Sequence, residues 1–444
     1  MHYSVKHILN ANVRDLLHLE MEPALGCTDP AAVALCSAAA ASLVKGHAIE
    51  SIDVKTDLNV FKNAMSVTIP ASGGSCGIPL AAAMGAVSGN PENGLEIFST
   101  VDEEGLEKAW GLLREEKVTA GIAEDSDGVY IKAVITAGGR RAEAVIAGQH
   151  SHFESLTLDG VPQEGHGFSS AKIQQDGDVE TLEKWLTTLS LGEVVDLLDD
   201  LDDDDVTFIQ HGIDMNMRLV ENGLSHGPGL GTGKTQMDLI RRGLLAKDIA
   251  LMSGITAAAG VDARMAGVKL PAMSLGGSGN QGIAAGVPLV TVANLAGVGD
   301  DPVLLAKAVT LSHLVTCTIK AYTGWLCALC GSGVASGAGV AAGVAYLMSG
   351  TVEQIGGAIM NHIGNYSTLL CDGAKGSCAL KVGEAVGSAT KSALLALQGV
   401  SISSTDGIMG NGPEETMRNL GLLSAEGLAN MDPTVLSIML KRCP

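Results

Sequence analysis

The stretch Gly331-Ser332-Gly333-Val334-Ala335-Ser336-Gly337-Ala338-Gly339-Val340-Ala341-Ala342-Gly343-Val344-Ala345 decides the fold class. It lies within a longer run, Ala321 to Val352, that contains no charged residue. The steps Gly333/Gly337 and Gly339/Gly343 place small residues four apart, a spacing that lets helices approach closely in lipid or in a dense protein core. The window is Gly/Ala/Ser-rich rather than Leu/Ile-rich, so it reads as a buried helix and not as a membrane span. The same texture extends outward. The 444 residues include 57 glycines and only 3% aromatics, so the core is built from Ala, Val, Leu, Ile and Met. With 46% hydrophobic and 17% charged residues, the chain folds rather than remaining disordered.

Helical patterns broken by glycine fill the second half, over 206–223, 236–260, 282–297, 301–320, 334–348, 352–364, 382–399 and 413–439. The first 46 residues also read as helical, with Asp29 as N-cap and Pro30 opening an Ala-rich helix. Strand patterns appear at Ile52 and Val54, then at Val67 and Ile69. The segments Val129–Ile135 and Ala142–Ile146 flank Gly138-Gly139-Arg140, which is hairpin spacing. A further helix is expected around Val179–Leu189. The expected fold is α+β and predominantly α: a large Gly/Ala-rich helical catalytic domain plus a smaller α/β domain with antiparallel strands. The division is 1–47 as a helical N-terminal part of the catalytic domain, 48–205 as the α/β domain, and 206–444 as the helical domain.

Charge narrows the partners. The 28 Lys and Arg against 49 Asp and Glu give a net charge of −21, which repels phosphate backbones and excludes nucleic acid as a natural partner. Eight acids fall between Glu193 and Asp205, a solvated linker first and a cation site second. No secretory leader pattern opens the sequence, and nine cysteines without one point to a reducing cytoplasm. A small substrate and a homo-oligomer are compatible with this composition.

Four motifs bear on chemistry. Gly227-Pro228-Gly229-Leu230-Gly231-Thr232-Gly233-Lys234-Thr235 ends like a phosphate loop, but Pro228 stands where the motif needs glycine and no strong strand precedes it. It reads as a Gly-rich turn opening a helix, with Lys234 available to an anion. Cys27 precedes an expected helix start, where unpaired N–H groups lower a thiol's pKa; an ordinary packed cysteine is the equal alternative. Cys371 and Cys378 flank a Gly-containing turn, and Cys317, Cys327 and Cys330 lie upstream. This set lacks paired zinc knuckles and ferredoxin spacing. It fits packing cysteines, or three thiolates holding a [4Fe–4S] cluster with one iron open. Lastly, Gly276-Gly277-Ser278-Gly279-Asn280-Gln281 and Asn59-Val60-Phe61-Lys62-Asn63 offer amides and a cation to an anionic ligand, or are plain loops.

Taken together, Glu22–Ala32, Asn59–Asn63, Gly277–Gly282, Leu329–Gly331 and Cys371–Lys381 resemble the L-cysteine desulfidase family, with the α chain of iron–sulfur L-serine dehydratase as a more distant relative. The resemblance spans the chain, and the block Cys371–Lys381 is its most specific part. It implies an oxygen-sensitive [4Fe–4S] cluster on Cys330, Cys371 and Cys378, with Cys27 as the base. It also implies conversion of L-cysteine and water to pyruvate, ammonia and hydrogen sulfide. Relatives often read Cys-Gly-Cys where this chain has Cys330-Gly331-Ser332, which leaves Cys327 as an alternative ligand. Within that frame Asn280 and Gln281, with Lys62 or Asn63, are expected to anchor the substrate carboxylate. Glu22 or Asp372 is expected to hold the ammonium, Thr28 to touch substrate, and Lys375 and Lys381 to offset cluster charge. Cys443 is a candidate cap for the open iron. The rival readings are L-serine dehydration, a non-catalytic metal-binding or structural protein, a nucleotide-binding protein, and a pyridoxal-phosphate enzyme.

Overall fold

A computed structural model describes residues 12–163, except 125 and 127, and residues 179–441. From the N-terminus come α1 (Val13–Glu20), β1 (Pro23–Leu25) and α2 (Thr28–Ser42). An α/β segment follows, with β2 (Ile49–Thr56), α3 (Leu58–Ala64), α4 (Ile78–Ser88), α5 (Glu103–Arg114), β3 (Val118–Ile122), β4 (Tyr130–Ala137), β5 (Arg140–Ala147), β6 (Phe153–Leu158) and β7 (Val161–Pro162). The helical half holds α6 (Val179–Leu186), α7 (Leu191–Asp196), α8 (Asp203–His226), α9 (Thr232–Arg241), α10 (Ile249–Met265), the short β8 (Pro271–Met273) and α11 (Gly279–Ala296). It continues with α12 (Pro302–Thr323), α13 (Gly331–Leu347), α14 (Val352–Tyr366), α15 (Cys378–Leu397), α16 (Pro413–Leu422) and α17 (Met431–Leu440). The fold is α+β and predominantly α, as the sequence predicts.

One sheet has the order β3-β2-β4-β5-β6-β7, with β2 and β3 parallel and the other neighbours antiparallel. The predicted hairpin is β4–β5. Gly138 and Gly139 carry φ of 59° and 74°, and Ala137 pairs with Arg140. Two positive φ values in a two-residue loop match the strand twist, and glycine adopts them without a Cβ penalty. Along β4, Ile131, Ala133, Ile135 and Ala137 are buried while their alternates are half-exposed, so one sheet face is covered. The Ala-rich α2 covers it and shares a core with Ile52, Val54 and Ala144. Helix α4 lies on α2 so tightly that a methyl group at Gly85 would sit 2.1 Å from the Ala34 carbonyl oxygen. The cores therefore do not divide at the expected boundary of residue 47: α2 packs with the sheet, and α1 with the helical half.

The uncharged stretch forms α13, buried along nearly its whole length. Its glycines face neighbours at contact distance. A methyl at Gly339 would meet the Ser312 carbonyl oxygen of α12 at 2.3 Å, and one at Gly343 would meet Leu289 of α11 at 2.8 Å. Helix α12 is long and apolar enough to cross a membrane, but 78% of that apolar window is buried inside the protein.

Some elements differ from expectation. The predicted helix 236–260 is two helices, since α9 ends before Gly243 in a left-handed conformation (φ 69°) and Asp248 caps α10 by accepting from Leu251 N at 2.7 Å. The predicted 413–439 is likewise α16 and α17, separated by a π-helical turn at 423–427. Val67 and Ile69 form no strand; Thr68 between them makes only an isolated antiparallel bridge to Cys76. Helix α2 begins at Thr28 with Cys27 as N-cap, not at Pro30. The acidic run serves as caps and surface pairs: Asp202 and Asp205 form a capping box on α8 and bind Arg14.

Candidate functional site

A cavity of about 100 Å³ opens where the two cores meet. The short pairing of β1 with β8 lies at this junction. The α/β side supplies Cys27, Thr28 and Asp29 from the start of α2, and Asn59, Lys62 and Asn63 from α3. The helical side supplies Arg264, the segment Gly276–Gln281, Lys320, Trp325, Cys327, Cys330, Cys371 and Cys378.

Local structure accounts for these placements. Cys330 is the N-cap of α13, Cys378 is the first residue of α15, and Cys371 lines the same cavity. Leu329 and Leu370 form an antiparallel bridge. Cys330 N donates to Leu369 O (2.9 Å) and Cys371 N to Ala328 O (2.7 Å), so the two cysteine segments are fixed side by side. Burial pushes the Cys330 thiol up to about 12, and the neighbouring Cys371 and Cys378 add to the rise. Burial also raises Cys378, with Lys375 opposing and Cys371 adding. Lys381 is among the cations that counter this crowding. Cys327 also faces the cavity but belongs to another neighbourhood. Its Sγ is 3.7 Å from Lys320 Nζ; burial alone would raise this thiol, yet Lys320 and local hydrogen bonds bring it below its ordinary value.

Cys27 does not behave as a helix-start thiolate. Burial first and the Asp29 carboxylate second push its thiol far up, and only Arg264 and an Asp29 backbone hydrogen bond pull it back. Its Sγ–H donates to Asp29 Oδ2 at 3.6 Å. The other Asp29 oxygen is 3.4 Å from Asn63 Nδ2 and 3.4 Å from His150 Nε2. Asp29 therefore engages the site instead of capping α2, for which no side-chain cap is present.

Of the expected ligand-binding residues, Thr28, Lys62, Asn63, Asn280 and Gln281 line the cavity, whereas Glu22, Asp372 and Lys375 do not. Glu22 accepts from Ser151 Oγ at 3.1 Å. The Asp372 carboxylate is held by Lys375 (2.5 Å) and Lys381, and Asp372 and Lys375 line a neighbouring cavity with Val435 and Met439. Lys62 is buried but not free for an anion, since its Nζ contacts Asn59 Oδ1 (2.9 Å) and Asp432 Oδ1 (2.6 Å). Gln281 Nε2 donates to the carbonyls of Leu275 and Gly276, which aims Oε1 elsewhere; Gln281 Oε1 and Asn63 Oδ1 are buried without a partner. Cys443 lies outside the described residues.

The phosphate-loop-like turn binds the protein's own carboxylate. Gly227, Gly229 and Gly231 are left-handed, and Gly233 N donates to Asp262 Oδ2 at 3.0 Å. Lys234 Nζ donates to Ser225 O. The nest a phosphate would occupy is filled by Asp262.

Sequence reading missed Arg264, His150, Lys320 and Asp29 as cavity groups. Among the described residues, no three or more His, Cys, Asp or Glu side chains converge closely enough to share one metal ion.

The serine dehydratase alpha chain family matches residues 92–437. This chain belongs to that family. The match covers the cysteine segments and α10–α15 but begins after Cys27 and α3. A UPF0597 protein of Desulfatibacillum aliphaticivorans is 46% identical over 432 residues, 97% of this chain and 98% of its own. A UPF0597 protein of Desulfotalea psychrophila is 41% identical over 429 residues, 96% of this chain and 98% of its own. One from Clostridium botulinum is 35% identical over 436 residues, 98% of each chain.

Proposed function

We propose that this chain is an iron–sulfur lyase that eliminates the β-substituent of a small amino acid, with L-cysteine and water giving pyruvate, ammonia and hydrogen sulfide. One observation carries the reading: Cys330, Cys371 and Cys378 share a cavity wall, each electrostatically felt by another, while Cys27 stands on the same cavity. Burial and thiol neighbours push the Cys330 and Cys378 thiols up, and a cationic centre relieves both. In a polynuclear cluster each thiolate takes a different iron, so the three need not converge on one ion. The donor set thus fits a [4Fe–4S] cluster on Cys330, Cys371 and Cys378, with Cys327 engaged by Lys320 instead. When bound, such a cluster supplies a Lewis-acidic iron for the departing heteroatom.

The chain's own groups divide the remaining work. Cys27, hydrogen-bonded to Asp29 at 3.6 Å, is the group placed to take the Cα proton as a thiolate, a charge that Arg264 favours against burial and Asp29. His150 and Asn63 steady the Asp29 carboxylate. The orphaned acceptors Asn63 Oδ1 and Gln281 Oε1 receive the substrate ammonium, because buried acceptors left unpaired cost about 1–3 kcal/mol each. Burial of the walls keeps water from competing.

The family's description favours L-serine as a second substrate on the same walls. Anaerobically prepared protein is expected to hold about four irons per chain with matching acid-labile sulfide. It is expected to release sulfide and pyruvate from L-cysteine faster than pyruvate from L-serine. Cys371→Ala should lose the iron, and Cys27→Ala should keep it and lose turnover. Colourless protein that binds zinc, or full activity in Cys27→Ala, overturns the reading.

A further inference from the structure

Of the three buried cations on this cavity, Lys62, Arg264 and Lys320, the first two are treated differently by the protein. Lys62 is fully engaged, with Asn59, Asp432 and the Cys371 carbonyl around its ammonium. Arg264 is equally buried, at 2% exposure, but only its Nη1 finds a partner, Asn280 Oδ1 at 3.0 Å. Its Nε and Nη2 have none. A buried guanidinium with idle donors is costly unless something completes it. The nearby acids do not. Asp29 is occupied by Cys27, Asn63 and His150, and it reaches Arg264 only through space.

Packing fixes where the guanidinium lies. Gly279 opens α11, and a methyl group there would lie 2.3 Å from Arg264 Nε and 2.9 Å from Nη2. The guanidinium therefore rests against the first residue of an 18-residue helix whose N-terminus has no side-chain cap. Arg264, Ser278, Asn280 and Gln281 all face the cavity. A planar fork of N–H donors beside an uncapped helix start is matched to a planar, bidentate anion.

We propose that Arg264 is the carboxylate anchor of this cavity, gripping the ligand's α-carboxylate through Nε–H and Nη2–H against the N-terminus of α11. The identity of the carboxylate rests on the lyase reading; the anion site itself stands on the idle donors. With the orphaned acceptors Asn63 Oδ1 and Gln281 Oε1 on the same cavity, the walls complement both charges of an amino-acid zwitterion. Arg264 then sets which ligands enter: thiols without a carboxylate lose their main hold.

The test is calorimetric binding to anaerobically prepared full-length protein, with two probes that do not turn over. One is 3-mercaptopropionate, which keeps the carboxylate and lacks the ammonium; the other is cysteamine, which keeps the ammonium and lacks the carboxylate. Arg264→Gln should weaken 3-mercaptopropionate by roughly 30-fold or more, as expected when one side of a buried charge pair is truncated, and leave cysteamine within about threefold. Arg264→Lys, which keeps the charge without the fork, should recover only part of the loss. Gly279→Ala, which displaces the guanidinium while keeping it, should reproduce the selective weakening and guards against a misfolded Arg264 variant. Equal loss of both probes, no loss of either, or wild-type protein that binds no 3-mercaptopropionate overturns the proposal. Selective loss in a protein with no lyase activity leaves the anion site standing and removes the lyase reading. Unchanged probe binding in an active Arg264→Gln does the reverse.

Discussion

Replacing Asp262 tests how the Gly-rich turn is held against α10, two residues before Arg264. The carboxylate is buried and is the acceptor for the amides of the turn at Gly231–Gly233. Burial raises it to about 6 from an ordinary 3.8, against the pull of those hydrogen bonds. The folded state thus holds this proton more tightly than the unfolded chain. Its stabilising effect is complete below about pH 4 and is lost as the pH rises through 6. A rise of about two on the pH scale, at about 1.36 kcal/mol each, amounts to about 3 kcal/mol, of which roughly 2 kcal/mol falls between pH 4 and pH 7. Asp262→Asn keeps one acceptor oxygen and removes the charge. It should lose no stability at pH 7 and flatten the pH profile by that amount. Asp262→Ala strips the acceptor from buried amides and should destabilise at both pH values, by about 1–3 kcal/mol per orphaned donor. Urea unfolding of the three proteins at pH 4 and pH 7 gives the comparison. Parallel profiles for wild type and Asp262→Asn would refute the claim that burial in the nest raises this carboxyl above its unfolded value.

Gly339→Ala should lower the melting temperature, because the methyl meets a carbonyl at 2.3 Å and overpacking of about 1–3 kcal/mol outweighs the helix-propensity gain. Gly111→Ala in α5, where nothing lies within 4 Å, should instead raise it by roughly 0.5–1 kcal/mol of stability. Cys330→Ala should lose iron on anaerobic analysis, whereas Cys327→Ala should keep it; the opposite pattern exchanges their roles. Cys36→Ala should leave iron untouched, since that thiol donates to the Ala144 carbonyl beneath the sheet.

The helical half was readable because glycine breaks and apolar spacing survive in one dimension. The breaks that were missed depend on the chain's path: Gly243 turns left-handed, and Asp248 restarts a helix inside an otherwise continuous pattern. The cysteine block was legible through its resemblance, and Asn280 and Gln281 through their Gly-rich loop. Arg264 was not, because one arginine near the end of an apolar helix reads as a solvated terminus until α11 closes over it. Cys27 illustrates the reverse error. Its place before a helix is correct, but the helix start is sealed and shared with Asp29, so desolvation prevails over the dipole. Glu22 and Asp372 suit an ammonium chemically, yet Ser151 and two lysines claim them first.

The family match starts at residue 92, whereas one jaw of the cavity, Cys27 to Asp29 and Asn59 to Asn63, precedes it. A hybrid that exchanged the N-terminal third between members would import a foreign jaw and keep the native one. The Lys62–Asp432 pair, with an ammonium only 1% exposed, is the clasp such a hybrid must preserve, because a graft lacking either half leaves a stranded charge beside the mouth of the site.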